Sequence, residues 1–157
     1  MQSIGVYGTG DTVLCTLDSL NHLPTEKDVL QTFQRISLFL APGGLFIFDM
    51  NTPYKHRRVL GNHIYIYDTE NVYCVWQNRY ENVGCRVGIT LDFFERKGEA
   101  YTRKSEQFFE RAYEEAHIVE LLEKAGLERL NAFTEMTFES PEEQTERIVY
   151  VARKPKQ

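Results

Sequence analysis

Two short, nearly continuous apolar runs, Val13-Leu14-Cys15-Thr16-Leu17 and Leu45-Phe46-Ile47-Phe48, flank one helical stripe, and this arrangement leaves few folds open. Apolar runs of this length are the pattern of strands covered on both faces. Between them Val29, Phe33, Ile36 and Leu40 recur at i, i+4, i+7 and i+11, one face of a helix. Thr25 precedes the stripe as an N-cap with Asp28 three residues on, a capping-box spacing. Pro42-Gly43-Gly44 stops the helix, because proline cannot continue it and glycine permits the reversal. Strands joined by so long a helical connection pair in parallel, with a right-handed crossover. Both then end on one rim, the side of an open α/β sheet where ligands bind. Here that rim carries Asp18, Ser19, Asp49 and Asn51.

The next section changes period. Ile64–Tyr67, Val72–Trp76, Val87–Phe94 and Tyr101–Phe109 are rich in β-branched and aromatic residues, and turn signals separate them at Asp68–Asn71, Glu81–Gly84 and Lys97-Gly98. This pattern predicts an antiparallel β-subdomain over residues 62–112, inserted within a single domain of residues 1–157. The polar alternation of Thr102–Gln107 predicts one face in water. A helical stripe then returns with Ile118, Leu121, Leu122 and Ala125, from about Tyr113 to a stop at Gly126. Strands are predicted over Glu128–Phe138 and Arg147–Ala152. With no helix between them, they form an antiparallel hairpin at the sheet edge. Met1–Asp11, with three glycines, reads as an irregular lead-in.

Composition narrows the function. With 42% hydrophobic and 26% charged residues the chain has the make-up of a globular domain. It holds neither an apolar run long enough to cross a bilayer nor a recognisable signal segment, so no membrane role is expected. A formal charge of −5 and scattered basic residues (Lys55, Arg57, Arg58, Arg103, Lys104) argue against nucleic acid. Cys15, Cys74 and Cys85 form no C-x-x-C pair, and the four histidines show no metal-ligand spacing. A structural metal is not expected, and free thiols suit a reducing, cytoplasmic setting.

Three segments carry a resemblance. Val13–Leu23 resembles the fourth strand and following loop of class I S-adenosylmethionine-dependent methyltransferases. Leu40-Ala41-Pro42-Gly43-Gly44-Leu45-Phe46-Ile47-Phe48-Asp49 resembles that family's L-K-P-G-G-x-h-h-h-D segment, with Ala41 in the lysine position. Leu121-Leu122-Glu123-Lys124-Ala125-Gly126-Leu127 is similar to the L-L-x-x-A-G-F stretch before the sixth strand. The resemblance implies an α/β fold, a partial Rossmann-like methyltransferase sheet (fourth to seventh strands) with the β-insert covering a small-molecule site. The family's D/E-x-G-x-G-x-G cofactor loop is absent from these residues, as is the acidic residue that ends the second strand. Gly8-Thr9-Gly10 lies too close to the fourth-strand segment to replace that loop and reads as a turn. On this reading the chain corresponds to the C-terminal two-thirds of a family member, through a truncated gene, a partial gene prediction or excision of a fragment.

The resemblance implies S-adenosylmethionine as cofactor, with Thr16, Leu17, Asp18 and Ser19 facing its methionine and ribose parts and Asp18 accepting from its ammonium group. Binding by this chain alone is expected to be weak. His22, Asn51, Tyr54, Tyr65 and Trp76, with Tyr67 beside them, line the expected pocket for a small-molecule methyl acceptor, where aromatic faces suit a cationic or amine group. His22 is placed to accept a proton. Asp49 is expected to cap the rim. No obligatory catalytic base is apparent, since an in-line methyl transfer draws mainly on positioning. The Val13–Leu17 strand would lie inside a full family sheet. Its outer edge therefore needs cover, from a second copy in a homo-oligomer or from Met1–Gly10 folded over it. Two other readings fit the residues: a non-catalytic ligand-binding module whose aromatic β-section is the working part, and a degenerate half that dimerises with an intact copy.

Overall fold

The computed structural model describes residues 8–156. Helix α1 (Glu26–Phe39) begins with the capping box its sequence announces. The Thr25 hydroxyl accepts from the Asp28 amide, and the Asp28 carboxylate accepts from the Thr25 amide. Thr25→Ala is expected to lower stability by about 1 kcal/mol in urea unfolding, with Asp28→Ala giving a similar loss. Val29, Phe33 and Ile36 face inward from this helix.

Strand β1 (Gly10–Cys15) pairs in parallel with β2 (Leu40–Asn51), Val13 opposite Phe46 and Cys15 opposite Phe48. The second strand begins earlier than its apolar run, taking in Ala41–Gly44. At Gly44 a Cβ would lie 2.9 Å from the Ala41 carbonyl oxygen and 3.0 Å from that of Asp11, so only glycine lets the two strands approach there. Helix α2 (Glu115–Lys124) ends at Gly126, in the left-handed region at φ 74°. Strands β7 (Glu128–Thr134) and β8 (Arg147–Arg153) complete the first sheet in the order β1-β2-β8-β7, β8 running antiparallel to both neighbours. β7 stops short of Phe138. The chain reverses between Thr134 and Glu139, with Met136 at φ 60° and both Met136 and Phe138 turned to solvent.

Both helices contribute to one core with Phe46, Phe48, Met50, Ile148, Tyr150 and Ala152. Its centre is an aromatic stack, with Phe46–Phe48 centroids 4.6 Å apart and Phe48–Tyr150 centroids 4.9 Å apart. Full cover on both faces, expected from the apolar runs, is not what β1 shows. Val13 and Cys15 lean on the core, but Leu14 is 67% exposed, because both helices pack into the same core. Among the described residues the outer edge of β1 has no partner strand. The expected cover from Met1–Gly10 falls largely outside them, and Gly10 and Asp11 belong to β1 itself.

Strands β3 (Ile64–Asp68), β4 (Val72–Glu81), β5 (Arg86–Lys97) and β6 (Ala100–Arg111) form a second sheet, an antiparallel meander. Leu60, Val87 and Ile89 make a small core with Tyr65, Trp76, Tyr80, Leu91 and Phe108 packed on it. The one-sided burial expected of Thr102–Gln107 is absent. Every residue from Ala100 to Gln107 is exposed, because β6 is an edge strand that runs past the small core. A π-helical turn, Lys55–Leu60, connects the rim to this sheet, closed by the Gly61 amide on the His56 carbonyl at 2.9 Å.

Candidate functional site

The rim is organised by two side chains that follow from strand alternation. β2 delivers Asp49 and Asn51 to the same end, two residues apart and therefore on one face. The Asp49 carboxylate accepts the amides of Leu17 at 2.8 Å and Asp18 at 2.6 Å. Both of these residues lie in the left-handed region, at φ 60° and 48°, where non-glycine side chains cost about 1–2 kcal/mol each. Asp49 thus caps the rim and fixes its turn. Arg147 of β8, only 12% exposed, lies 3.3 Å from Asp49 and 3.6 Å from Asp18, and reaches Glu135 at 3.3 Å.

Asn51 is the hub. Its side-chain amide donates to Asp18 at 2.7 Å and to Glu110 at 3.0 Å, and its oxygen accepts from Lys55 at 3.0 Å. Its backbone is held by Asn21, which accepts from the Asn51 N–H at 2.9 Å and donates to the Asn51 carbonyl at 3.2 Å. The same Asn21 amide donates to the Arg111 carbonyl at 2.8 Å, and the Arg111 N–H donates back to the Asn21 carbonyl. Asn21 is completely buried, so this clamp fastens the β6 end to the rim.

β6 brings Glu110 into the site, 5% exposed. Its carboxylate lies 3.4 Å from His56 Nε2 and 3.9 Å from His22 Nε2. Burial pushes this carboxyl up, but the facing His56 ring and the Asn51 amide outweigh it and hold the group below the usual glutamate range. His56 itself is fully buried, its Nδ1 3.2 Å from the Cys85 carbonyl.

Asp18, His22 and Asn51 therefore converge, and Ser19 closes the loop by donating to the Thr16 carbonyl at 2.7 Å. Thr16 and Leu17 project from the rim, Leu17 at 75% exposure. His22 borders a cleft of about 410 Å³ with Phe108, Glu110 and Arg86. The aromatic candidates are not brought to this point. Tyr54 lines a different cleft of about 560 Å³, with Thr52, Arg57, Tyr113, Glu142 and Gln144. Tyr65 and Trp76 pack on the small core, their rings 5.5 Å apart, with Tyr67 6.4 Å from Trp76. Their polar atoms are also engaged, Tyr65 OH with the Val59 carbonyl and Trp76 Nε1 with Asn78. Sequence reading missed Asn21, Glu110, His56 and Arg147. The Asn51-to-Glu110 separation is 59 residues and Asp49-to-Arg147 is 98, distances that no local spacing reveals.

No family model matches the chain. It is 30% identical over 152 residues to YqeM of Bacillus subtilis (strain 168), which carries the name of a methyltransferase with no substrate stated; the match covers 97% of this chain and 62% of that protein. The crystal structure of an S-adenosylmethionine-dependent methyltransferase from Clostridium acetobutylicum ATCC 824 matches with TM-score 0.90 and 34% identity, over 98% of this chain and 62% of that one. CalS10 of Micromonospora echinaspora, an amino pentose methyltransferase solved with S-adenosylmethionine bound, shares the fold at TM-score 0.74 and 16% identity, over 98% and 61% of the two chains. The chain thus spans about three fifths of the length of these relatives. Over that span its mixed α/β architecture is that of the S-adenosylmethionine-dependent methyltransferase from Clostridium acetobutylicum.

Proposed function

We propose that this chain forms the acceptor side and one wall of the donor site of an S-adenosylmethionine-dependent methyltransferase acting on a small molecule. The observation that supports this most directly is the rim turn at Thr16–Ser19, held open in a left-handed conformation by the Asp49 carboxylate beside the inward-facing Glu110. Asp18 receives the donor's ammonium group, and Thr16, Leu17 and Ser19 flank its methionine and ribose parts. His22 meets the acceptor from the loop side. Asn51 positions Asp18 and Glu110 from beneath. The acceptor is a small molecule bearing an amine or hydroxyl, met on this side by His22 and Phe108 rather than by Tyr54, Tyr65 or Trp76. Methyl transfer then rests on alignment and exclusion of water.

The setting is cytoplasmic, consistent with cysteines that form no disulfide among the described residues, and no helix among these residues is long and apolar enough to cross a membrane. The outer edge of β1, without a partner strand among the described residues, suits self-association through strand pairing. A non-catalytic module working through its aromatic sheet is the second reading, favoured by the outward-facing Ile64, Ile66 and Tyr67 of β3.

None of the 157 residues forms a D/E-x-G-x-G-x-G run. Titration of this chain with S-adenosylmethionine is therefore expected to give a dissociation constant near the millimolar range, worth about 4 kcal/mol. Amide shifts should be confined to Thr16–Ser19 and His22. Micromolar affinity by calorimetry would overturn the expectation of weak binding. Shifts confined to β3 and β4, or none at the rim at millimolar ligand, would favour the non-catalytic module.

A further inference from the structure

Among the described residues one group of side chains gathers three metal-ligating types: Asp18 and His22 from the loop after β1, and Glu110 from β6. One donor atom of each lies within 4.8 Å of the other two. His22 Nε2 is 3.9 Å from Glu110 Oε1, too far for a hydrogen bond. Two ligands each ~2.1 Å from one ion in tetrahedral arrangement lie ~3.4 Å apart. The His22 side chain is 44% exposed and sits on a loop, so it has room to close the remaining half ångström or so.

A second observation points to the same place. His56 is fully buried, and its Nε2 has no hydrogen-bond partner. Its other nitrogen faces the Cys85 carbonyl at 3.2 Å, which makes Nδ1 the protonated one. Nε2 is directed at Glu110 Oε2, 3.4 Å away. The Glu110 carboxylate, 5% exposed, is a buried charge that requires positive charge nearby. Asp18 adds to that requirement, since the Asn51 amide draws both carboxylates to a single nitrogen and Arg147, 3.6 Å from Asp18, is shared with Asp49 and Glu135.

We propose that Asp18, His22 and Glu110 bind one divalent transition-metal cation, of the class that accepts mixed imidazole and carboxylate ligation, such as Mn²⁺ or Zn²⁺. Three protein ligands leave coordination positions open toward the 410 Å³ cleft, which suits an oxygen or nitrogen of a small molecule. Mg²⁺, which favours all-oxygen shells, fits this donor set less well. The site joins the rim loop to the inserted sheet, so an ion there would fasten the two. The proposal does not depend on methyl transfer, and an ion on Asp18 would compete there with the donor's ammonium group.

The test is calorimetric titration of the full chain with Mn²⁺ and with Zn²⁺, alongside the room-temperature electron paramagnetic resonance signal of free Mn²⁺. One ion per chain is expected, and Glu110→Gln and His22→Ala should each weaken it by at least about tenfold. His117→Ala serves as the control, because His117 also lies beside two glutamates, Glu26 at 3.2 Å and Glu120 at 3.6 Å, without forming a three-ligand group. It should leave binding unchanged. Absence of binding at millimolar metal would overturn the proposal and assign the compensating charge to a proton on His56. So would binding that His22→Ala leaves intact. Should Glu110→Gln fail to fold by circular dichroism, His22→Ala, in a half-exposed loop position, decides the matter alone.

Discussion

Replacing Asp49 by alanine is expected to cost about 3 kcal/mol of folding stability and to unfix the rim turn. The carboxylate accepts two backbone amides at 2.8 and 2.6 Å, and hydrogen bonds to an ionised group contribute about 1.5–3 kcal/mol each. Two factors act on that sum in opposite senses. Arg147 loses its partner at 3.3 Å but retains Asp18 and Glu135, so the guanidinium is not left uncompensated. Leu17 and Asp18, once released, relax out of the left-handed region and recover part of the backbone strain. The net loss therefore falls near the low end of the range for breaking a buried charged pair. Urea unfolding of Asp49→Ala and Asp49→Asn measures it. The asparagine variant keeps one acceptor oxygen and should lose about half as much. An alanine variant within about 0.5 kcal/mol of the parent would mean that the turn stands without its cap.

Asn21→Ala is the second substitution with a large expected effect, about 3 kcal/mol or more, and it differs in where the damage spreads. Three buried backbone groups lose their side-chain partner: the Asn51 N–H, the Asn51 carbonyl and the Arg111 carbonyl. Each unsatisfied buried group costs about 1–3 kcal/mol, reduced where water enters. The backbone bond from Arg111 to Asn21 remains, so the sheets stay adjacent but loosely registered. Hydrogen exchange should show the Asn51 amide accelerating far more than amides in the Phe46–Phe48 core. Uniform acceleration, or none at Asn51, would contradict the clamp.

What the sequence discloses and what it conceals divide along a physical line. The β1–α1–β2 unit is legible because each signal is local: a capping box within four residues, a 3.6-residue stripe, and a Pro-Gly-Gly stop. Asp49 is legible as a cap because strand ends display their side chains on the rim. The four antiparallel strands are legible from turn chemistry between aromatic runs. Glu110 is not, because it follows the predicted strand Tyr101–Phe109 and stands beside Arg111, a charged pair that reads as solvated surface. Its burial arises only when Asn21 draws the end of β6 against the rim. His56 is concealed similarly, between Lys55 and Arg57, with nothing nearby in sequence to mark it as an interior residue. The aromatic residues mislead in the opposite sense. Tyr65 and Trp76 resemble a pocket lining, yet strand pairing places them face to face over Leu60.

The π-helical turn at Lys55–Leu60 has a consequence for how such a chain tolerates insertions and deletions. An i→i+5 turn holds one residue more than the α-helical turn of the same reach. Removing a single residue between Arg57 and Leu60 would restore ordinary helical winding and carry His56 about 100° around the helix axis, away from Glu110. The same change would shift Leu60 off Val87 and Ile89 and misalign the whole meander that follows. A deletion of one codon in this connector is thus a far greater perturbation than several substitutions along exposed β6, although it touches no strand and no rim residue.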